Sequence, residues 1–542
     1  MANEKKDTVT LTINGEQVTV PAGTRIIEAA DEAGIGIPHY CYHPGLSAPA
    51  MCRMCLVEVE GMPKLTPACV TTVADGQVVH TESEKATTAR TGVLEFYLVN
   101  HPLDCPICDQ SGECHLQDYV AQEGLKHGRF LEQKRVFGRD DFGGDILYEG
   151  SRCIMCTRCV RFMREIEGSE ALGVVQRGNR SVIDTFFDEG LDDSNWAGNI
   201  VDICPVGALL SKDFLHKARV WDLDHTNSIC TSCSQGCNIT IDTRDNLVQR
   251  LKPRANPDVN SFWICDYGRH NYEWMNRADR IEAPLVRDDA GKHIATDWQQ
   301  AVMQLVERLE AYREKGNITV VGSPYHANED NGLLAVLTGA LGSGSGYYRS
   351  PRAEEEIPCA GVPGLARRKD LAANVRGMEI LGFHRTGDDE AQGGLDEVAR
   401  TEGVLIVLGD ELIDQPEDFG ANAELFVYLG EHLSPAARNA DFILPLTTHA
   451  EQEGTFTNHE GRAQRFWPAL EAPGLARPAW QVLGVVLAGL EVSQAPASAA
   501  DAFLILGEYY EEFRGLSYEA LGARGALLNE PIKLAAGAAE VE

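Results

Sequence analysis

The sequence predicts a multidomain protein in which a cysteine-rich first half precedes an α/β second half. Three observations lead to this prediction. The 542 residues are more than one hydrophobic core holds. Fifteen of the 16 cysteines lie between Cys41 and Cys265, and only Cys359 lies beyond them. After Arg280, continuous apolar runs alternate with amphipathic segments, which is typical of an α/β domain.

Composition and charge exclude several classes of function. An apolar content of 44% is ordinary for a globular protein, while 48 basic and 81 acidic residues give a formal charge of −33. Such a charge argues against binding of nucleic acid or of an anionic membrane surface, because both need basic side chains. No apolar run has the roughly 18 residues of a spanning helix, and the N-terminus lacks the apolar stretch of a signal peptide. We therefore expect a cytoplasmic protein without direct membrane insertion, whose thiols stay reduced.

The first predicted domain, residues 1–79, opens as a β-grasp fold. Residues Thr8 to Ile13 alternate as a half-buried strand, Asn14-Gly15 is a hairpin turn, and Gln17 to Val20 return as the second strand. Thr24 is the expected N-cap of a short helix, and Gly34 is its expected end. A hairpin followed by one packed helix favours a ferredoxin-type domain.

Four cysteines of this domain are spaced C-x10-C-x2-C-x13-C. Plant-type ferredoxins hold a 2Fe–2S cluster with a C-x2-C pair, a preceding Cys and a distant fourth Cys, although their first gap is shorter. The alternative is four unrelated buried cysteines, which the ferredoxin-like opening disfavours. The predicted 2Fe–2S ligands are Cys41, Cys52, Cys55 and Cys69.

The second predicted domain, residues 80–140, contains one imidazole and three thiolates in a short loop after a helix. A cubane 4Fe–4S cluster fits this set, and an imidazole in place of a thiolate removes negative charge and raises the reduction potential. A structural zinc site with three Cys and one His has the same ligands, so the set alone leaves both open. The neighbouring sets favour iron. The predicted ligands are His101, Cys105, Cys108 and Cys114.

The third predicted domain, residues 141–222, has the C-x2-C-x2-C run and remote Cys-Pro of a bacterial ferredoxin. The positions that would supply a second cluster are occupied by Met163, Ser194, Ala197 and Ile200, so one 4Fe–4S cluster remains. Zinc is again the alternative, but Cys-Pro at the last ligand is typical of ferredoxins. The predicted ligands are Cys153, Cys156, Cys159 and Cys204.

The fourth predicted domain, residues 223–280, has four cysteines spaced C-x2-C-x3-C-x27-C. Four thiolates also suit zinc, but three neighbouring iron–sulfur sets favour a 4Fe–4S cluster. The predicted ligands are Cys230, Cys233, Cys237 and Cys265.

The last predicted domain, residues 281–542, has α/β character. No dinucleotide fingerprint, P-loop or catalytic triad signature occurs in it, so we predict no catalytic residues in this chain. The predicted elements are a helix opened by a capping box at Thr296 and ended by Gly316, buried strands at 318–321, 404–408 and 425–429, a helix at 333–341, and a flexible loop at 342–346.

In their order and spacing, the first three ligand sets resemble the large iron–sulfur subunit of NADH:quinone oxidoreductase, respiratory complex I. The resemblance covers residues 1 to about 280, and the fourth set resembles a 4Fe–4S centre of some bacterial members. It implies one 2Fe–2S and three 4Fe–4S clusters in a subunit that relays electrons. It further implies partners in the flavin/NADH-binding subunit, a 2Fe–2S subunit and the quinone-module subunits, on the cytoplasmic side of the bacterial inner membrane. The family's catalytic sites would lie in those partners.

The second half resembles the molybdopterin oxidoreductase fold, on the segments 440–445 and 453–461. It is shorter than a full pterin-binding domain. Tyr267 stands where formate dehydrogenases carry a Lys, and Cys359 lacks the following His of a molybdenum-binding Cys. We therefore expect a shortened domain without molybdopterin.

Three other classes of protein share parts of this pattern of ligands and domains. A formate dehydrogenase-type iron–sulfur/molybdopterin subunit is the main alternative, and the departures in the second half count against it. An iron-only hydrogenase needs a second ferredoxin cluster and further late cysteines, which this chain lacks. A zinc scaffold is the alternative without redox chemistry.

Overall fold

The computed structural model of the chain describes residues 8–186, 190–313, 317–342, 344–387, 395–396 and 398–528. The chain forms two compact units. The first comprises Met1–Leu223 together with Cys359–Pro363, and the second comprises Asp224–Pro358 and Gly364–Glu542. The predicted helix end at Gly316, the N-terminal six residues and the alanine-rich tail after residue 528 lie outside the described residues.

The first unit is built from short strands and helices. Its strands are β1 (Thr8–Ile13), β2 (Glu16–Pro21), β3 (Leu56–Val59), β4 (Thr66–Pro67), β5 (Val78–His80), β6 (Arg139–Gly143), β7 (Ile146–Glu149), β8 (Leu172–Val175), β9 (Val182–Thr185) and β10 (Leu209–Ser211). Its helices are α1 (Ile26–Glu32), α2 (Glu84–Asn100), α3 (His115–Glu123), α4 (Arg158–Phe162) and α5 (Asn199–Asp202).

A five-stranded sheet of order β2-β1-β5-β3-β4 confirms the β-grasp opening within the described residues. Strands β1 and β2 pair antiparallel through Asn14 and Gly15, both with positive φ, as the predicted hairpin turn requires. The predicted cap of α1 is wrong by one residue. Thr24 Oγ1 donates to the Pro21 carbonyl instead, while the Arg25 backbone N–H at the helix start donates to the Glu28 carboxylate. The hydroxyl is therefore used in the preceding turn.

A buried arginine joins the β-grasp sheet to the next two helices. Arg90 on α2 is 1% exposed, and its guanidinium donates to the Thr81 carbonyl at 2.7 Å and to the Glu123 carboxylate of α3 at 2.6 Å. A charge buried this deeply needs such partners. The first and second predicted domains are thereby held together.

The remainder of the first unit contains two small sheets, β10-β7-β6 and β8-β9. Helix α4 continues into one turn of π-helix, Met163–Glu167. The segment Cys359–Pro363 packs on this turn, and the Gly361 backbone N–H donates to the Ile166 carbonyl at 2.7 Å. Five residues of the last predicted domain thus belong to the first unit.

The second unit is larger and of α/β type. Its strands are β11 (Asp224–Ile229), β12 (Asn238–Arg244), β13 (Leu247–Pro253), β14 (Leu285–Arg287), β15 (His293–Ala295), β16 (Ile318–Gly322), β17 (Gly344–Tyr348), β18 (Ile357–Pro358), β19 (Ala366–Arg367), β20 (His384–Arg385), β21 (Val404–Leu408), β22 (Leu425–Gly430), β23 (Phe442–Pro445), β24 (Gly454–Thr457), β25 (Arg462–Phe466) and β26 (Ala526–Leu527). Its helices are α6 (Asp266–His270), α7 (Trp298–Glu310), α8 (Asn328–Ala340), α9 (Val375–Ile380), α10 (Ala479–Gly489), α11 (Ala499–Tyr509) and α12 (Tyr518–Leu521).

An eight-stranded sheet of order β15-β14-β23-β22-β21-β16-β17-β20 forms the core of the described second unit. From β23 to β20 every neighbouring pair is parallel, which confirms the α/β prediction. Strands β21 and β22 are buried along their whole length, as their continuous apolar sequences predict.

Two local predictions for this unit are wrong. The predicted loop at 342–346 is largely strand β17, which pairs with β16. The N-cap of α7 is Asp297, whose carboxylate accepts from the Gln300 backbone N–H, while Thr296 Oγ1 donates to the Gln300 side chain. An Asp side chain caps a helix N-terminus as effectively as the predicted threonine would. Among the described residues, no helix combines the length and the apolar character needed to cross a membrane.

Candidate functional site

The first ligand set lies in the loops beside the β-grasp sheet, and all four thiols are buried. Cys41 makes side-chain hydrogen bonds with Cys52 and Cys69, and Cys69 also contacts Cys55. The contacts with Cys52 and Cys69 lower the pKa of Cys41 to about 2. Four buried sulfur atoms linked by contacts fit a 2Fe–2S cluster, which thiolates hold.

The second set lies between the end of α2 and the start of α3. His101 directly follows α2 and Cys114 directly precedes α3, while Cys105 and Cys108 lie in the connecting loop. Cys108 and Cys114 are buried and Cys105 is exposed. Burial, together with the charges of Cys108 and Cys105, raises the pKa of Cys114 to about 11. The three thiols therefore lie within electrostatic range of one another.

His101 has the surroundings of a neutral metal ligand. Its Nδ1 is buried and has no hydrogen-bond partner in the structure. Burial, together with the charges of Lys134 and Arg152, lowers its pKa to about 4. An imidazole held neutral keeps a lone pair available to a metal. Arg152 also lies near Cys108, whose pKa it lowers against the larger raising effect of burial.

Gly207 is a residue that the sequence reasoning did not single out. A Cβ atom there would lie 2.2 Å from Cys108 Sγ. Only glycine leaves this space to the thiol. The signal in the sequence was its position two residues after Cys204-Pro205, because a glycine that close to a ligand often marks a close approach.

The third set has the clearest geometry. Met155 and Thr157, the residues on either side of Cys156, have left-handed backbones with φ of 55° and 57°. Burial raises the pKa of Cys153, Cys156 and Cys204 to about 11. One cavity is lined by all four thiols of the set, Cys153, Cys156, Cys159 and Cys204.

The positions of the absent second ferredoxin cluster are packed with side chains. Met163, Ala197 and Ile200 are 1%, 2% and 0% exposed. Ser194 accepts hydrogen bonds from the Ala197 and Trp196 backbone N–H groups. These positions therefore serve the core of the first unit.

Two arginines of α4 connect the first set to the third. Arg161 Nη2 donates to the Cys41 carbonyl at 2.5 Å and to the Cys156 carbonyl at 3.4 Å. Arg158 Nη2 donates to the Tyr42 carbonyl at 2.5 Å. Neither arginine was predicted from the sequence, although two arginines near a predicted ligand in an acidic chain were a usable signal.

The fourth set lies in the second unit, and all four thiols are buried. The Cys230 backbone N–H donates to the Cys237 carbonyl at 2.8 Å, and Cys265 caps α6 by accepting from Gly268 N–H. A Cβ atom at Gly268 would lie 2.9 Å from Cys230 Sγ and 3.4 Å from Cys265 Sγ. Burial raises the pKa of Cys233 to about 11. The two distant parts of this ligand set are thus brought together.

A cavity of about 590 Å³ lies at the carboxyl ends of the parallel strands in the second unit. His326 Nε2 lies 2.8 Å from the Glu431 carboxylate, and Arg349 donates to the Glu411 carboxylate at 2.8 Å. No cysteine is among the described residues that line this cavity. Cys359 belongs to the first unit, where its Sγ lies 3.6 Å from the Ile166 carbonyl and burial raises its pKa to about 12.

The sixteen predicted ligands therefore lie in four sets, and the four thiols of the third set line a common cavity. All cysteines carry free thiols. Among the described residues, no group of three or more His, Cys, Asp or Glu side chains is arranged to hold a metal ion. The cavity of the third set, the unpartnered Nδ1 of His101 and the space left by Gly207 and Gly268 fit larger clusters.

Five family models match consecutive parts of the chain. They are described as a 2Fe–2S iron–sulfur cluster binding domain (residues 6–84), the NADH-ubiquinone oxidoreductase-G iron–sulfur binding region (90–129), the NADH-quinone oxidoreductase subunit 3 ferredoxin-like domain (143–210), the NADH-ubiquinone oxidoreductase NDSU1/NuoG-like 4Fe–4S domain (223–273) and molybdopterin oxidoreductase (390–488). The order of these domains matches the predicted fold class.

Curated relatives share extended similarity with the chain. The 78 kDa mitochondrial subunit of NADH-ubiquinone oxidoreductase from Neurospora crassa is 33% identical over 598 residues, covering 88% of this chain and 80% of the relative. A subunit of the NADH-quinone oxidoreductase of Rickettsia conorii is 39% identical over 336 residues, covering 62% of this chain and 49% of the relative. The matched stretch thus spans about half the length of the Rickettsia relative.

A solved structure of an NAD+-reducing NiFe-hydrogenase has a chain that is 32% identical to this one. It covers 39% of this chain and 91% of its own, with a TM-score of 0.36.

Proposed function

The chain belongs to the family of the large iron–sulfur subunit of NADH:quinone oxidoreductase, and from this we propose that it relays electrons from a flavin subunit towards quinone. When bound, iron–sulfur clusters supply one-electron chemistry at potentials that the surrounding protein tunes. The chain's own residues hold the clusters, exclude water and adjust their potentials. No general base or nucleophile is needed for this function.

The observation that supports this proposal most strongly is the grouping of three ligand sets in one unit. Arg161 connects the backbone of the first and third sets, and Tyr residues of α2 and α3 connect the first and second. We propose one 2Fe–2S cluster on the first set and a 4Fe–4S cluster on each of the other three. The proposed boundaries are residues 1–79, 80–140, 141–222, 223–280 and 281–542.

We further propose that the second unit carries no molybdopterin. The absence of a cysteine among the described lining residues of the 590 Å³ cavity supports this, as does the place of Cys359 in the first unit. Tyr267 lies at this cavity, where formate dehydrogenases carry a lysine. A formate dehydrogenase-type subunit is therefore the weaker candidate.

The proposed partners are the flavin/NADH-binding subunit, the 2Fe–2S subunit and the quinone-module subunits of the same complex. The formal charge of −33 supports docking to proteins, not to nucleic acid or anionic lipid. We place the chain in the peripheral arm of the complex, on the cytoplasmic side of a bacterial inner membrane.

Metal analysis of the purified complex tests the cofactor assignment. Four filled sets would contribute about 14 iron atoms and equimolar sulfide from this chain, whereas a zinc scaffold would contribute about four zinc ions and be colourless. The partner subunits contribute the same amount of iron to every variant of the complex, so the difference in iron content between two variants comes from this chain. Stoichiometric molybdenum, or zinc in place of iron, would contradict the proposal.

Two cysteine variants test whether the third set binds iron. Cys156→Ser removes a ligand of the third set, and we expect a loss of about four iron atoms per chain. Cys359→Ala removes a cysteine that is also buried but outside every set, and we expect no loss of iron or activity. Equal iron content in both variants would contradict the assignment of the third set.

A further inference from the structure

Tyr40 has a buried hydroxyl group with no partner in the structure. The residue is 0% exposed, and its Oη makes no hydrogen bond. An unpaired buried polar group destabilises the folded state, so native proteins rarely keep one without a ligand, an ion or a water beside it. Tyr40 directly precedes Cys41, the first ligand of the first set.

The ring of Tyr40 packs against the helices that flank the second set. Its centroid lies 5.1 Å from that of Tyr97 on α2 and 5.4 Å from that of Tyr119 on α3. Helix α2 ends just before His101, and α3 begins just after Cys114. A side chain of the β-grasp domain therefore lies between the two helices that position the second set.

The other two tyrosines of this group use their hydroxyls elsewhere. Tyr97 Oη donates to the Cys52 carbonyl at 3.3 Å, and Tyr119 Oη accepts from the His39 backbone N–H at 3.3 Å. Both bonds join the helices to the β-grasp domain. Tyr40 is the member of the group whose hydroxyl takes no part in this contact.

Thiols of two ligand sets lie within electrostatic range of the Tyr40 phenol. Burial and the two neighbouring tyrosines have the largest raising effects on the pKa of this phenol, and the charges of Cys114 and Cys52 have smaller raising effects. The packing of the Tyr40 ring against α2 and α3 places the phenol beside the two helices that hold the first and last ligands of the second set. A neutral phenol near a cluster is a hydrogen-bond donor, and hydrogen bonds to sulfur are one of the ways in which a protein sets cluster potentials.

We propose that the Tyr40 hydroxyl donates a hydrogen bond to a sulfur atom of the cluster on the His101 set and raises its reduction potential. Tyr40 is then a positioning residue, which acts through the cluster and is not a ligand. The reduced cluster carries more negative charge than the oxidised cluster, so the hydrogen-bond donor stabilises the reduced form more. This inference rests on the proposed function, because it requires a cluster on that set.

The test is Tyr40→Phe in the assembled complex, followed by electron paramagnetic resonance during redox titration. We expect the midpoint potential of the cluster on the His101 set to shift to a lower value, while the cluster of the third set keeps its potential. The phenylalanine ring preserves the packing against Tyr97 and Tyr119. Iron content, measured on the same samples, shows whether the cluster is still present.

Tyr119→Phe is the matched control, because it removes a hydroxyl from the same group without removing a donor to sulfur. We expect an unchanged potential in this variant. A filled cluster with an unshifted potential in Tyr40→Phe would overturn the inference, as would an equal shift in both variants. Loss of the cluster in Tyr40→Phe would also overturn it, since the hydroxyl would then hold the cluster and not tune it. A wild-type complex without iron on this set would instead refute the proposed function.

Discussion

At the scale of single residues, His101 is the side chain on which we propose that the chemistry of the second set depends. Its imidazole is kept neutral by burial and by two nearby cations, Lys134 and Arg152. A neutral ligand and positive neighbours both favour the reduced form of a cluster, which carries more negative charge. We therefore expect this set to have a high potential among the 4Fe–4S clusters of the chain.

Replacing His101 by Cys tests this expectation. The variant keeps four ligands but exchanges a neutral imidazole for an anionic thiolate, so we expect a retained cluster whose potential is lower by on the order of 100 mV. His101→Ala should weaken or lose the cluster. Redox titration followed by electron paramagnetic resonance measures both effects, and the exposed His127→Asn is the control. Identical spectra and potentials in the two His101 variants would refute its role as a ligand.

The sequence was sufficient to predict His101 as a ligand, but it did not predict the side chains that surround it. The close spacing of His101, Cys105, Cys108 and Cys114 makes the set recognisable within one loop. Arg152 comes from a distant part of the chain, and no local pattern links it to the set. Tyr40 was missed for the same reason, because its partners lie on two later helices.

At the scale of elements, strands with continuous apolar sequences were predicted and glycine-rich strands were not. Strand β21 contains only Val, Leu and Ile, so its burial on both faces follows from its composition. Strand β17 begins with glycines, which favour a loop. A Cβ atom at Gly346 would lie 3.0 Å from the Phe383 ring. The glycine thus leaves room for a tertiary contact that the local sequence does not reveal.

Helix α8 carries a carboxyl group whose protonation should affect stability. Glu329 is 0% exposed, it accepts from the Tyr518 hydroxyl at 2.8 Å, and burial raises its pKa from 4.5 to about 8. Between these two values the folded chain holds a proton that the unfolded chain has released. The stability that this proton contributes is fully present below pH 4.5 and is lost as the pH rises through about 8.

The variant Glu329→Gln should remove this pH dependence. We expect the free energy of unfolding of the wild type to fall by up to roughly 1.4 kcal/mol per pH unit more steeply than that of the variant across this window. Chemical denaturation of the second unit at several pH values measures the two slopes. Glu508→Gln, at an exposed position, is the control and should keep the wild-type slope. Parallel slopes for wild type and Glu329→Gln would contradict the prediction.

The segment Cys359–Pro363 gives a second test at this scale. A Cβ atom at Gly361 would lie 2.0 Å from the Glu165 carbonyl oxygen, a distance that real atoms do not reach. We therefore expect Gly361→Ala to displace the segment and to destabilise the first unit by about 1–3 kcal/mol. Thermal unfolding and limited proteolysis after residue 358 measure the effect. Unchanged stability and protection would show that the segment does not belong to the first unit.

At the scale of the whole molecule, the chain divides its tasks between two units. Three ligand sets lie in the first unit and the fourth lies in the second. The cysteine distribution and the spacing of the sets made the order of domains predictable. The inclusion of residues 359–363 in the first unit was not predictable, because it depends on contacts between positions that are far apart in the sequence.

For the whole chain, we predict that NADH alone does not reduce its clusters. The sequence has no dinucleotide fingerprint, and the proposed flavin site lies in a partner subunit. The purified chain with its clusters intact should therefore keep its visible absorbance when NADH is added under anaerobic conditions. Dithionite is the positive control and should bleach the same sample. Bleaching by NADH in the absence of partners would contradict the prediction.

The place of Cys359–Pro363 has a consequence for biosynthesis. Domains generally fold as they leave the ribosome, from the N-terminus onwards. The first unit, however, stays incomplete until residue 363 has been translated, which follows residue 223 by on the order of ten seconds at usual elongation rates. During that interval the π-helical turn at Met163–Glu167, four residues after Cys159, is still uncovered. We therefore expect the first unit to reach its full stability only after residue 363 has been translated, although all four ligands of the third set are already present by residue 223.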